Sequence, residues 1–409
     1  MKRPRRRTVA RHGQLHRPSA GGQLLRALGI VLAVVLVSGV GVAAYIGTTL
    51  LGTVSANSVE IDGAESVPPD IAEYEGGFNM LLVGVDVCED EYAHLFPGRC
   101  SGKGEDGTLN DTNLIVHVSD EPRRVTVVSV PRDTMLAIPS CTDDQGNTSS
   151  AMDKQPLNSA WSYGGLNCVL QTLELLTGLE IQYAASVTWG GVIEITDAIG
   201  GVEVCLATPI KDEHTRLDLP AGARTIQGYE ALQFLRTRYG VGDGSDVGRI
   251  GNQQLYMSSL ARKMLSSEVL GNVGTMLKLA NTAVENLTTS TSLTPMTIAQ
   301  IGLALKDVPQ SDIVFAQYPT WPDPDNPENK LVPNRDAADA LMAAIESNQP
   351  LQITHENGET EGVIVEAPVT PAPVASGTPA PTGTAVALPE EVMGNSADQQ
   401  TCSNGNVRG

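Results

Sequence analysis

With 409 residues, 41% of them hydrophobic, and a formal net charge of −20, the chain is long enough for one sizeable core plus appendages or for two modest domains. The charge is unevenly spread: residues 1–26 hold eight basic groups and no acid, which leaves the rest strongly acidic. That balance argues against a nucleic-acid partner for the body of the chain, because such affinity comes from clustered basic groups that displace counterions.

From Ala27 to Val59 there is no charged residue, and the apolar run Leu28 to Leu51 exceeds the roughly 20 residues needed to cross a bilayer. Residues 27–51 read as one transmembrane helix. The basic tail, residues 1–26, is then cytoplasmic and the acidic body lies outside the plasma membrane. The run is also longer than the ~7–15 residue apolar region of a cleaved signal peptide, which favours an uncleaved signal-anchor. Residues 52–76, acidic and carrying Pro and Gly, read as a short stalk.

The core domain is expected over 77–350. Phe78 to Val85 is a buried apolar run, and Asn113 to Val118 and Arg124 to Val130 follow as β-rich runs joined by a tight turn at Glu121 and Pro122. Asn158 to Thr177 reads as a helix broken near Gly164 and Gly165 and ended by Gly178. Strands are expected at Ile181 to Val187 and Val202 to Leu206, with a short helix between them at Gly191 to Ala198. From Gly228 to about Val284 the pattern is mostly helical, and again from Met296 to Leu305. A late strand at Asp312 to Tyr318 and a helix at Arg335 to Glu346 close the domain. Strands do not alternate strictly with helices, so the expected fold is α/β with a mixed, largely antiparallel sheet flanked by helices. Residues 351–409, rich in Pro, Thr and Ala, are expected to form a disordered tail.

Six cysteines in an exported domain suggest disulfides. Cys88 with Cys100 and Cys141 with Cys168 would staple local loops, which leaves Cys205 with Cys402 by subtraction; six cysteines allow about 15 connectivities, and the sequence does not choose among them. Only His12 and His16 have ligand spacing, with no Cys or acid nearby, so a zinc site is disfavoured.

The most informative stretch is Leu235 to Gln254. Arg236 and Arg238 lie two apart, so an extended chain would point both the same way, and a Gly-rich turn from Gly240 to Gly248 lets Arg249 and Gln253 return from a helix on which they are i and i+4. A guanidinium offers a planar fork of donors to a phosphate, and three could hold a pyrophosphate in register. The bland alternative is surface charge paired with the chain's many acids. Polar groups also stand where apolar runs stop: Asp86, Asp111, and Arg132 with Asp133. Asp86 and Asp111 are hard oxygen ligands suited to Mg²⁺, which takes one or two carboxylates plus phosphate oxygens; each alone could equally be a turn or cap residue.

Together these blocks resemble the LytR-CpsA-Psr family: Asn79 to Asp86, Asp111 and Thr112, Val128 to Thr134, Lys154 with Leu157, Asn158 and Tyr163 to Gly165, Ile199 to Val204, and Ala231 to Arg238 followed by Gly248, Arg249, Gln253 and Gln254. The resemblance covers about residues 77–350. Two positions depart from it, since Leu109 and Asn252 stand where family members often carry arginine. The resemblance implies a phosphotransferase that moves a glycopolymer from a polyprenyl-pyrophosphate carrier to peptidoglycan through a phosphodiester, with Mg²⁺ on Asp86 and Asp111. Arg132, Arg236, Arg238 and Arg249 would offset phosphate charge, Asp111 or Asp133 would take the hydroxyl proton unless Asp133 orients Arg132, and Lys154, Asn158 and Gln253 would contact substrate. It also implies an apolar channel for the prenyl chain. The same clamp would serve a pyrophosphatase that releases the carrier hydrolytically, and the same fold a non-catalytic wall-glycan-binding or regulatory surface protein. Neither a G-x-S-x-G elbow nor a phosphate-binding G-x-x-x-x-G-K-[ST] loop occurs.

Overall fold

The computed structural model describes residues 58–59, 77–96, 99–100, 108–143, 145–264, 266, 282–283, 285–305, 307–356, 362–365 and 385–406. The chain divides into two compact units, Met1–Gly52 and Thr53–Gly409. The expected cytoplasmic tail and transmembrane helix, and all of the stalk except Ser58 and Val59, lie outside the described residues. Among the described residues no helix is long and apolar enough to cross a membrane.

A nine-stranded sheet organises the second unit. In chain order its strands are β1 (Ser58–Val59), β2 (Phe78–Val85), β3 (Asn110–Val118), β4 (Val125–Ser129) and β5 (Tyr183–Val187); two strands of a smaller sheet follow, β6 (Val202–Leu206) and β7 (Gly222–Ile226). Then come β8 (Leu287–Ser290), β9 (Ile313–Gln317), β10 (His355–Glu356), β11 (Val363–Val365), β12 (Met393–Ser396) and β13 (Thr401–Ser403). The large sheet runs β1-β8-β5-β2-β3-β4-β9-β12-β10, and the small one β7-β6-β13-β11. Of the eight junctions in the large sheet, four are parallel and four antiparallel, so the sheet is evenly mixed rather than largely antiparallel. Two of the parallel pairs, β2 with β5 and β4 with β9, come from long returns, which adjacent-strand patterns do not reveal.

Both faces of this sheet are covered, which is why its central strands read as continuous apolar runs. Leu81, Val83, Val85, Ile115 and Val128 point into one core, packed by α1 (Ala160–Thr177) and by α6 (Arg335–Glu346). Their alternates, Phe78, Val116, Val127 and Phe315, face a second core. Helix α1 bends at Gly164 and Gly165, where Gly165 takes φ 58° and ψ −146°, a conformation open to glycine at little cost. Gly178 ends it in the left-handed region, φ 75°. The remaining helices are α2 (Trp189–Ala198), α3 (Gly228–Arg236), α4 (Asp246–Met264) and α5 (Pro295–Leu305).

Three disulfides join Cys88 to Cys100, Cys141 to Cys168 and Cys205 to Cys402. Of the stretch 351–409 read as a disordered tail, residues 351–356, 362–365 and 385–406 are described and built into the fold. Strand β12 pairs antiparallel with β9 and extends the main sheet, and β13 lies between β6 and β11. The Pro-rich composition that prompted the disorder reading is concentrated in 366–384, outside the described residues, whereas Val392, Ala397, Cys402 and Ser403 downstream are buried.

Candidate active site

The second face of the main sheet and helices α2, α3 and α4 enclose a cavity of about 450 Å³. Its interior is apolar, with Leu82, Leu114, Ala185 and Phe315 on the sheet side and Met257 and Leu260 on α4. Asp111, Arg132, Arg236 and Arg249 line it too and provide its charged part, with the Gln253 amide beside them.

Apart from Gln253, which lies within α4, the charged groups of the site arrive at or near the ends of elements. Strand β2 ends in a bulge at Gly84 and Val85, after which Asp86 is buried. Asp86 accepts hydrogen bonds from the backbone N–H of Leu109 at 2.7 Å and from Arg99 at 2.6 Å. Burial raises its carboxyl above the ordinary aspartate value; the Leu109 N–H opposes this, the negative charge of Asp111 adds to it, and Arg99 opposes it. Asp111, at the start of β3, pairs with Arg132 at 2.7 Å. Asp133 holds the other side of Arg132, with Nε 3.5 Å away, and is itself paired with Lys330 at 2.7 Å. Of the two roles open to Asp133, this geometry is that of a group that orients Arg132; Asp133 does not line the cavity.

Arg236 is the last residue of α3, where the helix dipole favours a cation. Its guanidinium carbon lies 4.1 Å from the Trp189 ring centroid and 5.0 Å from that of Phe96, a stack that fixes the plane of the fork. Burial lowers its pKa, the charge of Asp111 draws it back up, and Asp86 acts in the same upward direction. Arg249 and Gln253 both reach the cavity from one face of α4, and the Gln253 amide also donates to the Leu235 carbonyl at 3.0 Å.

Three candidates stand elsewhere. Arg238 does not share the direction of Arg236, because the chain between them is a helix end and a turn rather than a strand: its backbone N–H binds Asp212, and its guanidinium lies 5.6 Å from the Tyr239 ring centroid, outside the cavity lining. Lys154 is engaged by Asp323 at 3.0 Å and Asp325 at 2.7 Å, also away from the cavity. Asn158 places its backbone N–H on the Arg132 carbonyl at 2.9 Å, supporting the Arg132 turn rather than lining the cavity, and it caps no helix with its side chain.

The sequence reading missed Arg99, Trp189, Phe96 and Asp212. Arg99 precedes Cys100, so the Cys88–Cys100 bridge that returns this loop to the end of β2 was a usable signal. Asp212 is 2% exposed and accepts from the Thr237 hydroxyl at 2.8 Å and from the N–H groups of His214, Arg238 and Thr215. Burial pushes its carboxyl up, but the Thr237 hydroxyl and the three N–H donors outweigh that and hold it below 3.8. A depressed folded pKa stabilises the fold above the unfolded value and loses that contribution as the pH falls through the folded one. We therefore expect the melting temperature to drop as the pH is taken below about 4 and Asp212→Asn to flatten that drop; an unchanged acid slope in the variant would count against the assignment.

A model of the LytR_cpsA_psr family matches residues 45–347. The cell wall biosynthesis protein LcpA of Corynebacterium glutamicum is 27% identical over 71% of this chain and 58% of its own length. The polyisoprenyl-teichoic acid–peptidoglycan teichoic acid transferase TagU of Enterococcus faecalis is 28% identical over 54% of this chain and 63% of its own. The chain thus spans less than two thirds of the length of either relative. The crystal structure of Bacillus subtilis TagV superposes with a TM-score of 0.53 at 19% identity, covering 67% of this chain and 98% of that one, a likeness of fold.

Proposed function

This chain belongs to the LytR-CpsA-Psr family, and from that premise we propose that it is a phosphotransferase that moves a glycopolymer from a polyprenyl-pyrophosphate carrier to peptidoglycan through a phosphodiester bond. The observation that carries the reading is the cavity: an apolar interior bordered by Asp111, Arg132, Arg236 and Arg249 suits a ligand with an isoprenoid tail and a diphosphate head. The similarity to the Enterococcus faecalis polyisoprenyl-teichoic acid–peptidoglycan teichoic acid transferase supports the same class of donor. A membrane anchor at residues 27–51 would hold the cavity at the outer face of the plasma membrane, where carrier and wall meet.

In this mechanism the arginines bind and orient the pyrophosphate. An acceptor sugar hydroxyl attacks the phosphorus that carries the glycan, the new P–O bond forms as the P–O–P bridge breaks, and polyprenyl phosphate leaves. Arg236, fixed on its aromatic stack, and Arg132, fixed between Asp111 and Asp133, neutralise charge on the equatorial and leaving oxygens without rearranging. Asp111 faces the cavity and takes the hydroxyl proton. Asp86 and Asp111 are the carboxylates that would hold Mg²⁺, since two carboxylates completed by phosphate oxygens are a donor set this cation takes; Asp111 lines the cavity, and each accepts from an arginine, Asp86 from Arg99 and Asp111 from Arg132, that the cation would compete with. When bound there it would supply Lewis-acid polarisation of the phosphate oxygens.

The test is incubation of the intact chain in detergent with a polyprenyl-pyrophosphate oligosaccharide, peptidoglycan fragments and Mg²⁺, followed by mass spectrometry. Glycan joined to peptidoglycan by a phosphodiester is the expected result. Release without joining would identify a pyrophosphatase, and lipid binding without turnover a non-catalytic binder.

A further inference from the structure

The two helices that carry the clamp arginines are separated in sequence by a loop, residues 237–245, and something must set the distance between the end of α3 and the start of α4. One link is Asn252, completely buried on α4 three residues beyond Arg249. Its amide nitrogen donates to the Phe234 carbonyl on α3 at 2.9 Å, and that choice turns its oxygen toward Ser403, whose hydroxyl donates to it at 2.5 Å. Ser403 is also completely buried and belongs to β13, about 150 residues away in the chain.

The residues after Ser403 hold the loop itself. The Asn404 carbonyl accepts from Gly242 N–H at 3.1 Å, Gly405 forms an antiparallel bridge with Val241, and the Asn406 amide donates to the Tyr239 carbonyl at 2.7 Å. The segment is moored in turn by the Cys205–Cys402 disulfide, by the Ala207 N–H on the Ser403 carbonyl at 2.8 Å, and by the Gly405 N–H on Thr208 at 2.7 Å. The loop between α3 and α4, at Tyr239, Val241 and Gly242, and α4 itself, at Asn252, are thus tied to one segment, Ser403 to Asn406.

We propose that the segment Thr401 to Asn406 is a positioning element of the pyrophosphate clamp, with Ser403 and Asn252 as the positioning residues that set the Arg236 and Arg249 guanidinium groups in register. Its effect on turnover rests on the transferase reading above; its effect on pyrophosphate affinity does not. A buried Asn whose oxygen loses its donor can rotate or admit water, and α4 then shifts against α3. Small displacements of these charged groups are costly because binding the diphosphate and orienting it for attack both depend on their placement.

The test uses the intact chain in detergent in a Trp161→Phe, Trp321→Phe background, which leaves Trp189, under the Arg236 guanidinium, as the single tryptophan. Inorganic pyrophosphate is titrated against Trp189 emission. Ser403→Ala is expected to shift that emission and to weaken pyrophosphate binding about tenfold, with Ser403→Thr, which keeps the hydroxyl, restoring most of the loss. In the transfer assay Ser403→Ala should lower kcat/KM for the lipid donor about tenfold to a hundredfold, with any rise in KM no larger than the loss of pyrophosphate affinity, since the apolar cavity is untouched. Asn406→Ala, at an exposed contact that asks little of the core, should give a smaller loss in the same direction. Pyrophosphate affinity and Trp189 emission unchanged in both alanine variants would overturn the proposal, as would a loss in Ser403→Ala that merely tracks a lowered melting temperature and is absent from Asn406→Ala. If no variant or parent transfers glycan, the transferase reading fails, and the pyrophosphate titration still decides this one.

Discussion

Replacing Arg236 by alanine is expected to lower the rate of glycan transfer by about 10²–10³-fold, roughly 2.7–4 kcal/mol of transition-state stabilisation, the cost of losing one fixed donor to a developing oxyanion. Three features single this residue out. It ends α3, where the dipole supports a cation; it stacks on Trp189 and Phe96, which removes the freedom an arginine side chain otherwise has; and it is coupled electrostatically to Asp111, Asp86 and Arg249. Arg236→Lys should recover less than a tenth of the lost rate, because an ammonium is a point charge that neither stacks nor presents a fork. Steady-state transfer measured beside a melting curve separates this from unfolding. A lysine variant with near-parental rate would show that charge alone suffices and that the aromatic stack is incidental.

Asp111→Asn is expected to be comparably damaging, about 10²-fold or more in kcat. The change keeps the shape but removes the charged partner of Arg132, whose other side is held by Asp133, itself paired with Lys330, so Arg132 would be drawn toward Asp133 and away from the cavity. It also removes one of the two carboxylates proposed to hold Mg²⁺ and the group proposed to take the proton. Chelation of divalent cations should abolish transfer by the parent protein, and excess Mg²⁺ should restore it there but not in Asp111→Asn. Parental activity in chelator would remove the cation from the mechanism. A variant rate within about threefold of the parent would remove Asp111 from its proposed roles.

Features that depend on short-range spacing were legible in the chain. The nearly continuous apolar run of Phe78 to Val85 marks a strand covered on both faces, Gly164 and Gly165 mark the bend in α1, and the i, i+4 spacing of Arg249 and Gln253 puts both on the cavity side of α4. Side-chain direction is set there by the local period of the backbone, so a few residues contain the answer. The same logic failed at Arg238, because it assumed an extended chain throughout where Arg236 is still helical and only Thr237 after it is extended, so the period changes within three residues.

What the sequence by itself determined is the family, the order of the central elements, and the charged residues Asp111, Arg132, Arg236 and Arg249 that line one cavity. Tertiary structure alone decided which charges are already engaged: Lys154 with Asp323 and Asp325, Asp133 with Lys330, Asp86 with Arg99. It also decided that the chain after the Pro-rich stretch returns as β12 and β13 to complete both sheets and tie the clamp loop. The physical reason is partner choice. An ion pair or a strand edge can be satisfied by many residues of suitable type, and which one is used depends on contacts more than a hundred positions apart, as between Lys154 and Asp323, Asp133 and Lys330, or Asn252 and Ser403, that no local periodicity records.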